Sequence, residues 1–254
     1  MLMAYADGSA TGGIRAVGLL LSPADRWDRC TPIWDTTTKE LGVYPFHMTD
    51  FVEREKNRER RELVVNKLAT LLCDASCLAM AMSVNEADWA LLPRRYQVRL
   101  GTEYQLLATG VMAKTTAWLR AIGSPDSYAG VFEAGDEGQG PFREAIMRIL
   151  NSLPSAREHF GIETFVFDTK ARSALQMADL FAWTVSHWVP KLRIADPLAK
   201  IVVGHLKRRT CYQSWWLDKS QLLVASGHVP EGGIPAFKRR HGIGVRRQRK
   251  RHRG

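Results

Sequence analysis

Four acidic residues stand where predicted strands end or a predicted helix begins. Asp7 follows MLMAYA, Glu133 follows YAGVF, Asp168 follows ETFVF, and Asp179 lies in the second turn of a helix that starts near Ser173. Such ends of an α/β sheet bring side chains from separate segments together. Clustered carboxylates repel one another and lose hydration, so a divalent cation would compensate them. Oxygen ligands suit Mg²⁺ or Mn²⁺, and the pattern predicts a metal site for phosphodiester chemistry.

Each acid also has a structural interpretation. Asp7-Gly8 is a common start of a hairpin turn, and Asp168 can cap a turn. Glu133 stands in an acidic, glycine-rich loop, where a solvated carboxylate is ordinary. Asp179 is the hardest to explain in this way, because its neighbours are apolar and its helix is predicted to be buried.

Strands and helices alternate along most of the chain, which predicts an α/β fold. An opening hairpin indicates that the sheet is mixed, flanked by helices. We expect residues 24–51 to be irregular and to include a short strand or a turn of helix. The predicted strands cover residues 2–7, 14–21, 78–84, 128–132 and 163–168, and the predicted helices cover residues 55–77, 102–121, 141–153 and 174–188.

The helix near residue 174 has a candidate start signal. Ser173 and Gln176 have the spacing of a capping box, in which side chains bond the free amide groups of the first turn. A further helix is expected near residues 191–209, followed by an irregular segment.

The positive charge of the chain is concentrated at its C-terminus. The 254 residues contain 36 Lys and Arg against 26 Asp and Glu, a formal charge of +10. Residues 237–254 carry nine of these bases and no acid, which leaves a nearly neutral body. We therefore predict a flexible basic tail over residues 237–254. The alternation of strands and helices weakens after residue 190, so we predict a domain over residues 1–190 and an extension over 191–236.

The tail predicts a polyanionic partner, which is DNA, RNA or a ribonucleoprotein. The tail has one aromatic residue, Phe237, so its composition does not favour base stacking as the mode of binding. A solubilising terminus is the structural alternative. The candidate nucleic-acid contacts are Lys238, Arg239, Arg240, Arg246, Arg247, Arg249, Lys250, Arg251 and Arg253.

The sequence contains no apolar stretch of the roughly 20 residues that a membrane-spanning helix needs, so no membrane partner is expected. Asp7 interrupts what would be the apolar region of a signal peptide. The four cysteines do not form a zinc-binding pattern, and we interpret them as thiols of a reducing environment. A cytoplasmic location follows as an expectation.

Four segments resemble the bacterial family called domain of unknown function 3800. They are AYADGS near the start, FHMTDF at 46–51, VFEAGDEGQG at 131–140 and FDTKARSALQMADLFAW at 167–183. The similarity spans about residues 1–190, and the LQMADL segment is its most specific part. The resemblance implies an RNase H-like fold and a metal-dependent nuclease.

The resemblance also implies roles for individual residues. Asp7, Glu133, Asp168 and Asp179 match the family's acids and would hold Mg²⁺ or Mn²⁺ as catalytic groups. We expect four further residues of these motifs to lie near the substrate: Ser9, His47, Lys170 and Gln176. A structural hydrogen bond is an equally good interpretation of His47.

Two positions near the start of the chain depart from the family pattern. Gly8 stands where the family has Glu, and Ala10 where it has Gly. Because side chains alternate along a strand, the missing Glu would point away from Asp7 and Ser9.

Two hypotheses follow. The first is a divalent-metal-dependent nuclease of RNase H-like fold acting on DNA or RNA, and strand transfer would use the same acids. The alternative, which Gly8 favours, is a non-catalytic nucleic-acid- or ribonucleoprotein-binding protein, such as a subunit of a larger complex.

Overall fold

The computed structural model describes residues 1–124, 127–135, 139–152, 162–189 and 194–226. Within these ranges six strands form one mixed sheet in the order β5-β4-β1-β2-β3-β8. A two-stranded sheet joins β6 (Trp188–Val189) to β7 (Ile194–Ala195). The strands of the main sheet are β1 (Leu2–Thr11), β2 (Ile14–Pro23), β3 (Leu78–Asn85), β4 (Tyr128–Glu133), β5 (Ile162–Asp168) and β8 (Cys211–Leu217).

Helices cover both faces of the sheet. The predicted mixed α/β architecture is therefore confirmed. The helices are α1 (Ala24–Glu40), α2 (Met48–Arg54), α3 (Arg58–Ala75), α4 (Glu86–Ala90), α5 (Arg94–Leu100), α6 (Glu103–Ala121), α7 (Gln139–Ser152), α8 (Ser173–His187), α9 (Pro197–Arg209) and α10 (Lys219–Ala225).

Alternation along the strands creates two apolar layers. On one face, Tyr5 of β1 and Leu20 of β2 pack in a cluster with residues of α1, α3, α8 and α9. On the other face, Ala4, Ala6 and Leu19 belong to a second cluster with residues of α6 and α7. Because consecutive residues of a strand point to opposite faces, Asp7 lies on the α8 face with Tyr5.

The opening hairpin differs from its prediction. β1 does not end at Asp7, since it continues to Thr11 and pairs with β2 over its whole length. The turn lies at Gly12 and Gly13, whose φ angles of +53° and +75° favour glycine. Asp7 is thus within a strand, opposite Gly18, and the interpretation of Asp7-Gly8 as a hairpin turn is wrong.

The segment predicted to be irregular is largely helical. Trp27, Trp34 and Thr38 of α1 are buried on one side of this helix, despite Pro32 within it. The indole of Trp27 donates a hydrogen bond to the carbonyl oxygen of Met3, at 3.1 Å. Burial of this face outweighs the backbone hydrogen bond that a proline removes.

The C-terminal part of the described chain also differs from its prediction. The helix expected there is α9, whose N-cap Asp196 accepts hydrogen bonds from Leu198 and Ala199. The irregular segment expected after it instead forms β8 and α10. Because β8 pairs in parallel with β3, the main sheet extends beyond the boundary placed at residue 190.

No helix in the described ranges is both long and apolar enough to cross a membrane.

Candidate carboxylate site

The carboxylates of Asp7, Glu133 and Asp179 surround the ammonium group of Lys170. Lys170 Nζ lies 2.9 Å from Asp179 Oδ1, 3.3 Å from Asp7 Oδ2 and 3.8 Å from Glu133 Oε1. The side chain of Asp7 is fully buried, and those of Glu133 and Asp179 are 14% and 7% exposed. Three of the four predicted acids therefore share a single cation.

Strand register explains how two of these acids meet. β1 and β4 run parallel, and Ala6 is paired with Phe132. The next residues, Asp7 and Glu133, therefore lie side by side on the α8 face of the sheet. Helix α8 packs across β1 and β2 on this face and supplies Asp179.

Gly18 allows α8 to approach the sheet closely. A Cβ atom at this position would lie 2.7 Å from Phe181 Cδ1 and 3.2 Å from the backbone nitrogen of Ala182. Real Cβ atoms essentially never approach another heavy atom within 3.0 Å, so a larger residue here would force the Phe181 ring or its helix to shift. The distance between Asp7 and Asp179 thus depends on a small residue in β2.

The Asp179 carboxylate is held on both oxygens. The backbone N–H of Met48, at the start of α2, donates to Asp179 Oδ2 at 2.7 Å. His47 Nε2 lies 3.4 Å from Asp179 Oδ1, and His47 Nδ1 lies 3.1 Å from Asp50 Oδ1. His47 therefore joins the site and also has a structural contact, and Asp50 orients its ring.

Lys170 carries a full positive charge at neutral pH. Burial alone would lower the pKa of its ammonium group. The attraction of Asp179, Asp7 and Glu133, together with the hydrogen bond to Asp179, exceeds that effect and raises the pKa above its usual value. When all three acids are ionised, the four groups retain two formal negative charges.

Asp168 lies beside Glu133 in the strand register but does not contact Lys170 in this way. Its carboxylate accepts a hydrogen bond from the backbone N–H of Thr169 and forms an ion pair with Arg172. The hydrogen bonds from Arg172 and Thr169 hold the pKa of Asp168 below its usual value. Asp168 therefore has Arg172 as its cation partner, whereas the other three acids share Lys170.

The predicted capping box at the start of α8 is wrong. Arg172 is the N-cap residue, and no side chain caps this end of the helix. The hydroxyl of Ser173 instead donates to Asp35 of α1. A capping box requires the side chain of Gln176 to turn back to the helix start, and this side chain is engaged elsewhere.

Gln176 is fully buried and connects three segments. Its Oε1 accepts hydrogen bonds from Trp34 Nε1 at 3.0 Å and from the backbone N–H of Phe46 at 3.1 Å. Its Nε2 donates to the carbonyl oxygen of Lys170 at 2.8 Å. Gln176 thus holds the backbone of Lys170 in place.

A pocket of about 220 Å³ adjoins the acids. Ser9 lies on its wall and shares a hydrogen bond of 3.0 Å with Ser186 of α8. Arg15 also lines the pocket, and its guanidinium lies 3.7 Å from Glu86. The full lining is Gly8, Ser9, Ala10, Arg15, His47, Thr49, Tyr104, Lys170 and Asp179.

Sequence reasoning missed several residues of this site. Arg15 and Tyr104 reach the pocket from β2 and α6, and no local pattern marks them. Asp50 follows His47 at i+3 in the first turn of α2, and this spacing was a usable signal for an oriented histidine.

The carboxylate oxygens of the site are suitable ligands for a divalent cation, but their present positions do not form a metal-binding geometry. In the described ranges, no group of three or more His, Cys, Asp and Glu side chains is arranged to hold a metal ion. Three carboxylates nevertheless share one cation position, which is the donor set that Mg²⁺ or Mn²⁺ prefers. An ion would need the ammonium to leave and the oxygens to close to about 2.1 Å.

The four cysteines are free thiols.

No protein-family model matches the sequence, and no curated protein matches it. The resemblance to domain of unknown function 3800 therefore stays a prediction. The nine basic residues of the C-terminal tail, between Lys238 and Arg253, lie outside the described residues.

Proposed function

We propose that this protein is a divalent-metal-dependent nuclease of RNase H-like fold that hydrolyses phosphodiester bonds in DNA or RNA. The observation that supports the proposal is the convergence of Asp7, Glu133 and Asp179 on one cation position. These residues would hold Mg²⁺ or Mn²⁺, which supplies an activated water and neutralises charge on the phosphate.

The pocket beside the acids provides groups for an anionic substrate. Arg15 and Ser9 line it with a guanidinium and a hydroxyl, which are donors for phosphate oxygens. His47, oriented by Asp50, presents Nε2 beside Asp179 and can hold or pass a proton at that atom. The basic tail would hold the nucleic acid without sequence preference, and this binding should weaken steeply with salt.

Cleavage assays test the proposal. Labelled single- and double-stranded DNA and RNA are incubated with Mg²⁺, Mn²⁺ or a chelator. Asp7→Asn and Asp179→Asn should each lower metal-dependent cleavage at least about 100-fold, because each removes a charged ligand. Circular dichroism and thermal melting check that these variants remain folded.

Asp168→Asn is the matched control. The carboxylate of Asp168 forms an ion pair with Arg172 and not with Lys170. The rate of cleavage should therefore fall much less in this variant than in the other two. Unchanged cleavage in Asp7→Asn or Asp179→Asn would contradict the assignment of the site.

A second candidate function is binding of nucleic acid or ribonucleoprotein without chemistry. Two observations favour it: the ammonium of Lys170 fills the cation position, and Gly8 stands where the resembled family has Glu. Salt-sensitive binding of nucleic acid without any cleavage, together with no binding of Mn²⁺, would support this candidate.

A further inference from the structure

The ammonium of Lys170 occupies the point where the three carboxylates converge. It is fixed there from both ends of the residue, because Gln176 holds its carbonyl oxygen and the acids hold its Nζ atom. The side chain is 21% exposed, so it lies at the boundary between the acids and the adjoining pocket.

The acids require a cation at this point whether or not a metal is present. Asp7 is fully buried, and a buried carboxylate is costly without a compensating charge. Two cations cannot occupy the same position, because a bound ion would need the carboxylate oxygens to close to about 2.1 Å around the point where the ammonium now lies. A metal ion and the Lys170 ammonium must therefore exclude each other.

From this geometry we infer that Lys170 is a tethered counter-ion that exchanges with the divalent ion. Without metal, its ammonium holds Asp7, Glu133 and Asp179 together. When the ion binds, the ammonium moves on its flexible stem into the pocket lined by Ser9 and Arg15, where a substrate phosphate would meet it. This inference rests on the proposed metal site and adds that the apo protein carries its own competitor for the ion.

Metal affinity tests the exchange directly. Mn²⁺ binding is measured by calorimetry for the full chain, for Lys170→Gln and for Lys170→Arg. Lys170→Gln removes the competing charge and should bind Mn²⁺ at least about tenfold more tightly than the native chain. Lys170→Arg keeps the charge and should bind no more tightly than the native chain.

Lys200→Gln is the matched control for loss of one positive charge. Lys200 is exposed on α9, and its replacement should leave the affinity for Mn²⁺ unchanged. Equal or weaker binding of Mn²⁺ by Lys170→Gln would overturn the inference.

The labelling rate of Lys170 gives a second readout. Acylation of lysines by a water-soluble active ester is followed by mass spectrometry with and without Mn²⁺. Saturating Mn²⁺ should speed acylation at Lys170 at least about threefold by releasing its ammonium, leave Lys200 unchanged, and be reversed by chelator. No change at Lys170 under saturating Mn²⁺ would overturn the inference.

Lys170→Gln leaves three acids without their cation and so can lose its fold when metal is absent. Refolding of this variant on addition of Mn²⁺ would support the exchange, and failure to refold with Mn²⁺ would overturn it. If the native chain cleaves nucleic acid but the variant gains no affinity, the exchange fails and the nuclease stands. If the exchange is observed without cleavage of any nucleic acid, the nuclease fails and the exchange stands.

Discussion

Replacement of Gln176 by leucine should lower the free energy of unfolding, because it removes three hydrogen bonds of a buried side chain. Leucine has a similar volume but cannot pair with the indole N–H of Trp34, the backbone N–H of Phe46 or the carbonyl oxygen of Lys170. Trp34 and Phe46 are buried, so water cannot replace the two lost acceptor contacts.

The magnitude follows from these groups. A buried polar group left without a partner costs about 1–3 kcal/mol, so the two donors together cost about 2–6 kcal/mol. The apolar side chain of leucine regains part of this, and we expect a net loss of about 3 kcal/mol in the free energy of unfolding. For a chain of this size the melting temperature should fall by about 6–12 °C.

Urea denaturation followed by circular dichroism measures this loss as a lower midpoint with an unchanged slope. Gln213→Leu is the control, since Gln213 is partly exposed on the edge strand β8, and it should change stability by less than about 0.5 kcal/mol. If Gln176→Leu were no more destabilising than this control, the account of Gln176 as the connection between α1, residue 46 and Lys170 would be refuted.

Two further predictions concern the packing of α8 and its C-terminal end. Gly18→Ala should cost about 1–3 kcal/mol, because its Cβ would lie 2.7 Å from the buried ring of Phe181, and it should weaken Mn²⁺ binding by shifting α8. Gly130→Ala is its control, since the nearest atom lies at an ordinary 3.4 Å, and equal effects of the two substitutions would contradict the argument. Burial lowers the pKa of His187, whose ring stacks on Trp183 with the centroids 3.8 Å apart. Just below the ordinary histidine pKa of about 6.5, the unfolded state therefore binds more protons than the folded state. The free energy of unfolding should fall as the pH drops through this interval. His187→Gln should reduce that dependence in urea denaturation at a series of pH values, and an identical dependence in both proteins would contradict it.

The sequence was informative where a signal was local. Asp179 stands out as an acid among apolar helical neighbours, and the structure places it 93% buried against Lys170. Asp7 and Glu133 follow apolar runs, and the parallel register of β1 and β4 brings them together. Asp168 has the same local pattern as Glu133, but Arg172 at i+4 engages it, and a strand-end pattern does not include such a partner.

Other features depend on contacts between distant parts of the chain. The hydrogen bond from Trp34 to Gln176 joins residues 142 positions apart, so a pattern at 173–176 suggested a helix cap instead. The extent of β1 depends on its pairing with β2, and β8 is held in the sheet by β3, more than 120 residues earlier. Local propensity alone underestimates such strands because tertiary pairing stabilises them.

The position of the Lys170 ammonium among the acids could not be predicted from a local sequence pattern either. The sequence placed Lys170 near the substrate, but only the packing of α8 against β1 and the pairing of β1 with β4 bring three carboxylates within 3.8 Å of its Nζ atom. The role of this lysine therefore follows from the fold and not from the motif.

Anomalous scattering from crystals soaked with Mn²⁺ tests the central claim most directly. The account predicts a strong peak within about 2.2 Å of carboxylate oxygens of Asp7, Glu133 and Asp179, with the ammonium of Lys170 displaced from them. The absence of a peak at saturating Mn²⁺, with Lys170 still in contact with Asp179, would contradict the claim that these acids form a metal site.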